Sequence, residues 1–411
     1  MHIDLSEGVP ALSPNEGYEK IYAVFWWDGI PLGDREILTA QLPISAAHLT
    51  NLALQTITPA VSARLFSESL KARRKKVAPD FQALMALDRP LSGLKKRHLS
   101  QAVRGTTSIV ICTRERPVSL SRCLRSIQKL SHPPDEILVV DNAPSSGAVK
   151  QLVSRTSGVR YVLEPLPGLS RARNAGIRCS TGDIIIFTDD DVEVHPDWLT
   201  RLLQSFDDPK VMAVTGLVLP AELETEAQMI FEKILGYLNK GYLPKTFDNR
   251  FFEETKSVGV PAWEVGAGAN MAFRRMIFES AGNFDERLGA GASGCSEDSE
   301  LWYRILAEGW FCRYEPTAVV HHYHRREMDG LKQQIYQYYR GFVTALLCQF
   351  ARYRHWGNLR RLFITLPLYY KYLYGKFTQV KSLDGILSAV IAGSFAGIKF
   401  YLQNSSDKGP K

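Results

Sequence analysis

The sequence predicts an α/β protein with a mainly parallel sheet flanked by helices, and three observations predict it. From Thr106 onward, short apolar runs (Ser108–Cys112, Glu136–Val140, Arg160–Leu163) alternate with helical patterns. Strand–helix–strand order of this kind implies parallel pairing through right-handed crossovers. A turn pair, Thr181-Gly182, launches Ile184-Ile185-Ile186-Phe187, apolar at every position as a strand buried on both faces must be. That run stops in Asp189-Asp190-Asp191. Three acids then sit at a strand's carboxyl end, where open α/β sheets bind ligands.

With 411 residues the chain exceeds one small domain. Three regions are expected: an N-terminal accessory region with α/β character over 1–104, the main domain over 105–325, and a basic, aromatic-rich helical tail over 326–411. At 45% hydrophobic and 23% charged, the composition suits a globular protein with a large core. The six cysteines are scattered without CxxC pairs, which argues against zinc and disulfide frameworks and for a reducing cytosol. The first residues lack a signal peptide's layout. No stretch reads as the ~18 clean apolar residues of a spanning helix. The net charge of +7 concentrates in the tail, where Arg326 to Lys411 holds 13 Lys and Arg against 4 Asp and Glu. The remainder is near neutral, so a nucleic-acid surface is not indicated.

In the first region Ile21–Trp27 reads as a strand, Asp28-Gly29 as a turn, and Leu49–Leu70 as helical. The basic clusters Lys71–Lys76 and Lys95–Arg97 read as a solvated linker, with contact to anionic lipid as the alternative. In the main domain the first strand ends in Thr113-Arg114-Glu115-Arg116-Pro117. Pro117 then opens a helix whose apolar stripe is Leu120, Leu124, Ile127 and Leu130. The second strand ends in Asp141-Asn142, and Pro167-Gly168 leads into a helix through Arg171–Gly176. His195–Trp198 starts a further helix and Val211–Leu219 is a strand. Gly266–Met271 is a small-residue segment where backbone can approach a ligand.

Gly282–Gly294 reads as a mobile, Gly-rich loop. Ser296 reads as the cap of a helix with Glu297, Asp298 and Glu300 in its first turn. Ala318–His324 is a last strand running into histidines. In the tail Leu331, Ile335, Tyr338, Phe342 and Leu346 recur at helical spacing, and Ile386–Ile398 reads as too short to span a membrane. Lys and Arg mixed with Tyr and Trp fit a helix lying in an anionic lipid interface, and equally a helical cap on the main domain. The expected place is the cytoplasm, with peripheral contact at the inner face of the cell membrane.

Along an extended chain Asp189 and Asp191 point to one side and Asp190 to the other. Adjacent carboxylates repel unless a cation lies between them, so a divalent metal is expected. A calcium EF-hand loop fails, because its Gly and Glu positions hold Val194 and Thr200. A haloacid-type phosphatase places its acids on the first strand with Thr or Val two places later, where this chain has Glu193.

Thr107–Pro117, Val139–Pro144, Ser170–Gly176, Asp189–Asp191 and Glu297-Asp298 together resemble, in order, family 2 glycosyltransferases with the GT-A fold. The resemblance covers roughly residues 105–324 and implies a Rossmann-like domain. It also implies an inverting enzyme that uses a nucleotide-diphospho-sugar, a UDP-sugar first, with Mn²⁺ or Mg²⁺. The acceptor would be a carbohydrate or lipid-linked hydroxyl in surface polysaccharide or glycolipid assembly.

By the same resemblance Asp191 is a metal ligand, Asp189 lies near the ribose or metal, and Asp141 contacts the nucleoside. Thr113 and Glu115 resemble base-pocket walls, and Arg173 resembles the residue near base and diphosphate; its bland reading is a surface arginine on an amphipathic helix. His322, with His324 second, resembles the metal-binding histidine, and an imidazole among oxygens suits Mn²⁺. The base that takes the acceptor's proton falls on the acid pair, Asp298 first and Glu297 behind it. The bland reading there is a helix start, where acids favour the dipole. Trp263–Met271 and Gly289–Ser296 frame the acceptor side without a readable code. A nucleotide-sugar-binding protein without turnover is the alternative, and the phosphatase a more distant one.

Overall fold

The computed structural model describes residues 1–14, 17–72, 105–236, 238–377 and 385–405. The basic cluster at 95–97 and the side chains of that at 71–76 lie outside the described residues.

Near the N-terminus β1 (His2–Asp4), β2 (Lys20–Trp27) and β3 (Ile30–Leu38) form a small sheet in that order. Asp28 and Gly29 both take positive φ, the conformation a two-residue hairpin demands. Helix α1 (Ala46–Ala72) covers the sheet, laying Leu49, Ala53, Ile57 and Ala60 against Phe25, Ile30 and Ile37.

The main domain opens with β4 (Thr107–Thr113), α2 (Pro117–Ile127), β5 (Glu136–Asn142), α3 (Ala148–Ser154) and β6 (Val159–Glu164). It continues with α4 (Leu169–Cys179), β7 (Ile184–Asp189), β8 (Val192–Val194), α5 (Trp198–Gln204) and β9 (Val211–Pro220). Helix α6 (Glu226–Met229) passes into a π-helical turn, Ile230–Leu235. Then come β10 (Lys245–Phe247), α7 (Asn249–Lys256), β11 (Asn270–Arg274), α8 (Ile277–Ser280), α9 (Glu297–Ala307) and β12 (Phe311–His322). The strands make one sheet in the order β10-β12-β9-β11-β7-β4-β5-β6, with β8 paired to β12.

Strands β7, β4, β5 and β6 are mutually parallel. From β4 the chain lays β5 and β6 to one side and returns β7 to the other, and this reversal leaves a crevice at the carboxyl ends. Register sets Thr113 beside Asp141 and Cys112 beside Asp189, so the crevice receives the ends of three strands at once. Gly176 lets α4 lie close on β4, since a Cβ there would clash with Val110. Phe187, Phe273 and Phe284 meet edge to face, with Phe284 5.5 Å from Phe187 and 6.1 Å from Phe273. Each such buried aromatic contributes about 1.5–3 kcal/mol.

Two details depart from the sequence reading. The small-residue segment feeds directly into β11, antiparallel to both β7 and β9, so the sheet is mixed beyond β7. Asn270 pins the start of this strand: its buried carboxamide accepts from Trp198 Nε1 at 2.8 Å and donates to the carbonyls of Leu217 and Ala318. The second concerns the tail, which folds as α10 (Met328–Tyr353), α11 (Trp356–Arg360), α12 (Leu366–Phe377) and α13 (Ile386–Asn404). Expected to be too short, α13 has 19 residues and is long and apolar enough to cross a membrane by length and composition. Lys399 interrupts the apolar run, but Phe400-Tyr401-Leu402 prolong it. One face of α13 is small, and Gly393 and Gly397 let it approach the α10 backbone at Tyr336 and Arg340.

Candidate active site

The three acids at the end of β7 have different surroundings. Asp190 turns inward, where Thr113 Oγ1 donates to it at 2.6 Å and the Arg116 guanidinium at 3.2 Å. Burial, and then the adjacent Asp191 charge, push its carboxyl up to about 6. Asp191 is half-buried, with His322 Nε2 3.3 Å from Oδ1 and Arg116 3.0 Å from Oδ2. These cationic partners outweigh burial and hold Asp191 well below the usual carboxylate range. Burial raises Asp189, which the Arg173 guanidinium at 3.4 Å offsets in part.

One donor atom each from Asp189, Asp191 and His322 lie within 4.8 Å of one another. Two carboxylates and an imidazole are a donor set that fits Mn²⁺, and the carboxylates alone would serve Mg²⁺. Asp190 stands outside this group.

On the other side of β4 the loops are tied together. Glu115, at φ 56°, accepts from the Ser145 and Ser146 amides at 2.6 and 2.9 Å and from Ser146 Oγ at 2.7 Å. Those hydrogen bonds, the Ser146 hydroxyl first, hold its carboxyl down to about 2. Thr113 is buried with its hydroxyl committed to Asp190, so it positions the acid triplet. Asp141 ends β5 fully buried, and Tyr161 OH donates to its Oδ2 at 2.9 Å. Its Oδ1 has no hydrogen-bond partner among the described residues, an orphaned acceptor that a ligand donor would satisfy.

Arg173 is no surface residue: it is 2% exposed and sits over the Phe284 ring. One nitrogen meets Glu297 Oε1 at 2.5 Å and the other faces Asp189 Oδ1 at 3.4 Å. A single guanidinium therefore joins the acid triplet to the acid pair. Glu297 is buried, and burial pushes its carboxyl up to about 7 against the pull of Arg173. Asp298, half-buried, accepts the Ser299 amide on Oδ1 at 2.6 Å. A Cβ at Gly268 would lie 3.0 Å from Asp298 Oδ2 and from Arg173, so only glycine leaves this face of the carboxylate open.

Ser296 does not cap α9 with its side chain. It takes φ 70°, a left-handed conformation uncommon for a residue other than glycine. The loop before it, expected to be mobile, is pinned. Ser170 Oγ donates to the Leu288 carbonyl at 2.7 Å, Leu169 N to that of Ala290 at 2.8 Å, and Asn174 brackets Phe284.

Two cations escaped the sequence reading. Arg116 lay inside the motif that ends the first strand and was given no role there. Lys240 had no signal at all; burial pushes its ammonium down, and the charges of Glu264 and Asp298 oppose that shift. Trp263 on the expected acceptor side packs on Phe342 at 5.3 Å and under Arg361 at 4.8 Å, so the tail supports that wall.

The fold and site define an α/β protein with an acidic cluster, fit to hold a cation, at the carboxyl end of its parallel strands. Residues 108–282 match the family described as glycosyl transferase family 2. The succinoglycan biosynthesis protein ExoM of Rhizobium meliloti (strain 1021) is 37% identical over 225 residues, covering 52% of this chain and 65% of that protein. The pre-mycofactocin glycosyltransferase of Mycobacterium tuberculosis (strain ATCC 25618 / H37Rv) is 26% identical over 283 residues, covering 67% of this chain and 54% of the relative. The chain spans about half the length of the first curated relatives it matches. Among solved structures, the mannosyltransferase PcManGT from Pyrobaculum calidifontis in complex with GDP-Man and Mn²⁺ is 17% identical at a TM-score of 0.44, over 86% of this chain and 88% of that one. GalNAc-T7 with UDP, GalNAc and Mn²⁺ is 19% identical at a TM-score of 0.41, over 57% and 47%.

Proposed function

We propose that the protein is a metal-dependent, inverting glycosyltransferase that moves a sugar from a nucleotide-diphospho-sugar, a UDP-sugar first, to a hydroxyl of a carbohydrate or lipid-linked acceptor. Surface polysaccharide or glycolipid assembly is the setting that relatives such as ExoM support. The observation that carries the reading is Arg173, which reaches from Asp189 at the cation end to Glu297 beside Asp298. Cation site and candidate base thus lie within the span of one side chain.

The nucleoside side falls to Asp141, whose orphaned Oδ1 would accept an N–H from the base, with Glu115 holding the two loops that flank it. Asp189, Asp191 and His322 would hold Mn²⁺ or Mg²⁺, which when bound supplies Lewis-acid stabilisation of the diphosphate charge. Asp298 accepts the proton of the acceptor hydroxyl as its oxygen bonds to the anomeric carbon. The bond from that carbon to the diphosphate oxygen breaks on the opposite face, and the configuration inverts. Glu297 keeps Arg173 in place and does not itself take the proton.

The test is a panel of nucleotide sugars with and without Mn²⁺, followed by thermal shift and donor hydrolysis. One donor should stabilise the protein only with metal present. Absence of metal-dependent binding across the whole panel overturns the reading.

A second reading concerns place. Trp356, Phe363, Leu368 and Tyr372 are 72%, 63%, 63% and 60% exposed, beside exposed Arg360 and Lys371. Aromatic and cationic side chains together support contact of α11 and α12 with anionic lipid at the cytoplasmic face of the membrane. Truncating the tail would uncover Leu331, Ile335 and Val343, which pack on Leu366, Ile386 and Val390. Point changes are therefore the cleaner test. Trp356→Ser with Phe363→Ser should abolish sedimentation with vesicles rich in phosphatidylglycerol; binding unchanged by both would leave the tail as a cap only.

A further inference from the structure

We propose that Glu232 and His324 are positioning residues that fix the ring orientation and tautomer of His322, so that its Nε2 faces the cation site. The inference rests on the metal-dependent reading above and assigns work to a segment that carried no sequence signal. Beyond the end of β12, His324 turns its ring toward His322, with centroids 5.1 Å apart and Nδ1 to Nδ1 at 3.0 Å. On its far side His324 Nε2 lies 3.2 Å from Glu232 Oε2, and the carboxylate is buried. The three side chains form a row that ends on Asp191, whose Oδ1 is 3.3 Å from His322 Nε2.

The row has a direction. A carboxylate can only accept, so the Glu232 end requires an N–H at His324 Nε2. Neutral His324 then has a bare Nδ1, which accepts from N–H at His322 Nδ1. With Nδ1 committed to His324, Nε2 is the nitrogen left to face Asp189 and Asp191, and it is the one whose lone pair a bound cation would take. Carboxylate–imidazole partners of this kind raise the basicity of a ligating imidazole and set its orientation.

Glu232 is itself held firmly. It lies on the π-helical turn, where the ring of Phe231 packs on His324 at 4.8 Å. Its neighbour Lys233 pairs with Asp34 of β3 at 2.9 Å and sits over the Tyr22 ring of β2 at 3.9 Å. The N-terminal sheet thus braces the turn that carries Glu232.

The experiment titrates Mn²⁺ into the full chain by electron paramagnetic resonance and compares Glu232→Gln and His322→Gln with wild type. A glutamine keeps the volume but can present an N–H as readily as a carbonyl, so it no longer dictates the tautomer of His324. Glu232→Gln should weaken Mn²⁺ binding about 10-fold. The thermal midpoint should be unchanged, and turnover should recover at saturating Mn²⁺. A protein held only structurally by Glu232 would lose its thermal midpoint and keep its Mn²⁺ affinity, which overturns the proposal. Unchanged affinity in His322→Gln overturns it as well. A wild-type chain that binds no Mn²⁺ removes the metal reading and this inference together, whereas a wild type that binds alongside an unaffected Glu232→Gln removes this inference alone.

Discussion

The acid triplet at the end of β7 and the acid pair at the start of α9 pose the same problem, adjacent carboxylates, and solve it differently. The triplet divides its acids by strand geometry: Asp190 goes inward to Thr113, and Asp189 and Asp191 stay together beside His322. The pair divides its acids by depth: Glu297 is buried on Arg173 and Asp298 is left at the surface of the crevice. In both places one acid is given up to the protein so that its neighbour can face a ligand. Alternation along the strand already sorts the triplet, whereas in the pair only the tertiary environment decides.

The pair should show the largest contrast. Asp298→Asn is expected to cut transfer by roughly 10³-fold. Metal-dependent donor binding should persist, as read by a radiolabel assay beside thermal shift; full activity would move the base elsewhere. Glu297→Gln should instead act through stability, by about 3 kcal/mol in urea unfolding, because Arg173 loses its buried partner. The triplet comes next. Asp191→Asn should weaken Mn²⁺ roughly 100-fold by calorimetry, while Asp190→Asn should leave Mn²⁺ affinity nearly unaltered and cost about 1–2 kcal/mol of stability. Equal effects at both positions would erase the distinction.

A third cluster sharpens the comparison, because there the crowded like groups are histidines. His2 and His321 meet at 5.2 Å, and Trp26 stacks on His195 at 5.6 Å, where the N-terminal sheet meets the main domain. Burial first, then the charge of His321 on His2 and of His195 on His321, push His2 and His321 down to about 4, and burial lowers His195. The Met1 ammonium adds to the effect on His2, while Asp197 and Glu193 oppose it at His195 and His321. The folded groups stay neutral where unfolded histidines, near 6.5, take up protons. Stability should therefore fall as pH drops from about 6.5 toward 4 and show no such loss above 6.5. Fluorescence of Trp26 against pH checks it, and this effect vanishes at neutral pH.

Much of this was legible in the chain. Runs such as Ile184–Phe187 and Ile109–Ile111 are apolar throughout, and only a strand covered on both faces uses such a run, so the parallel half followed from periodicity. The acids at strand ends followed too, because a carboxyl end is where a buried run meets solvent. Asn270 was not legible as a pin for three elements, since its partners Trp198, Leu217 and Ala318 are remote in sequence. The same holds for Arg173, which looks amphipathic on its own helix and is buried only because Glu297, 124 residues away, comes to meet it.

By itself the sequence determined what is local: which segments pair as strands, where a turn needs Asp28-Gly29, and which residue types could hold a cation. Tertiary structure decided partnership. It chose Asp190 for Thr113, Glu297 for Arg173 and Glu232 for His324, because charge and hydrogen bonding act through distances that only the folded chain sets.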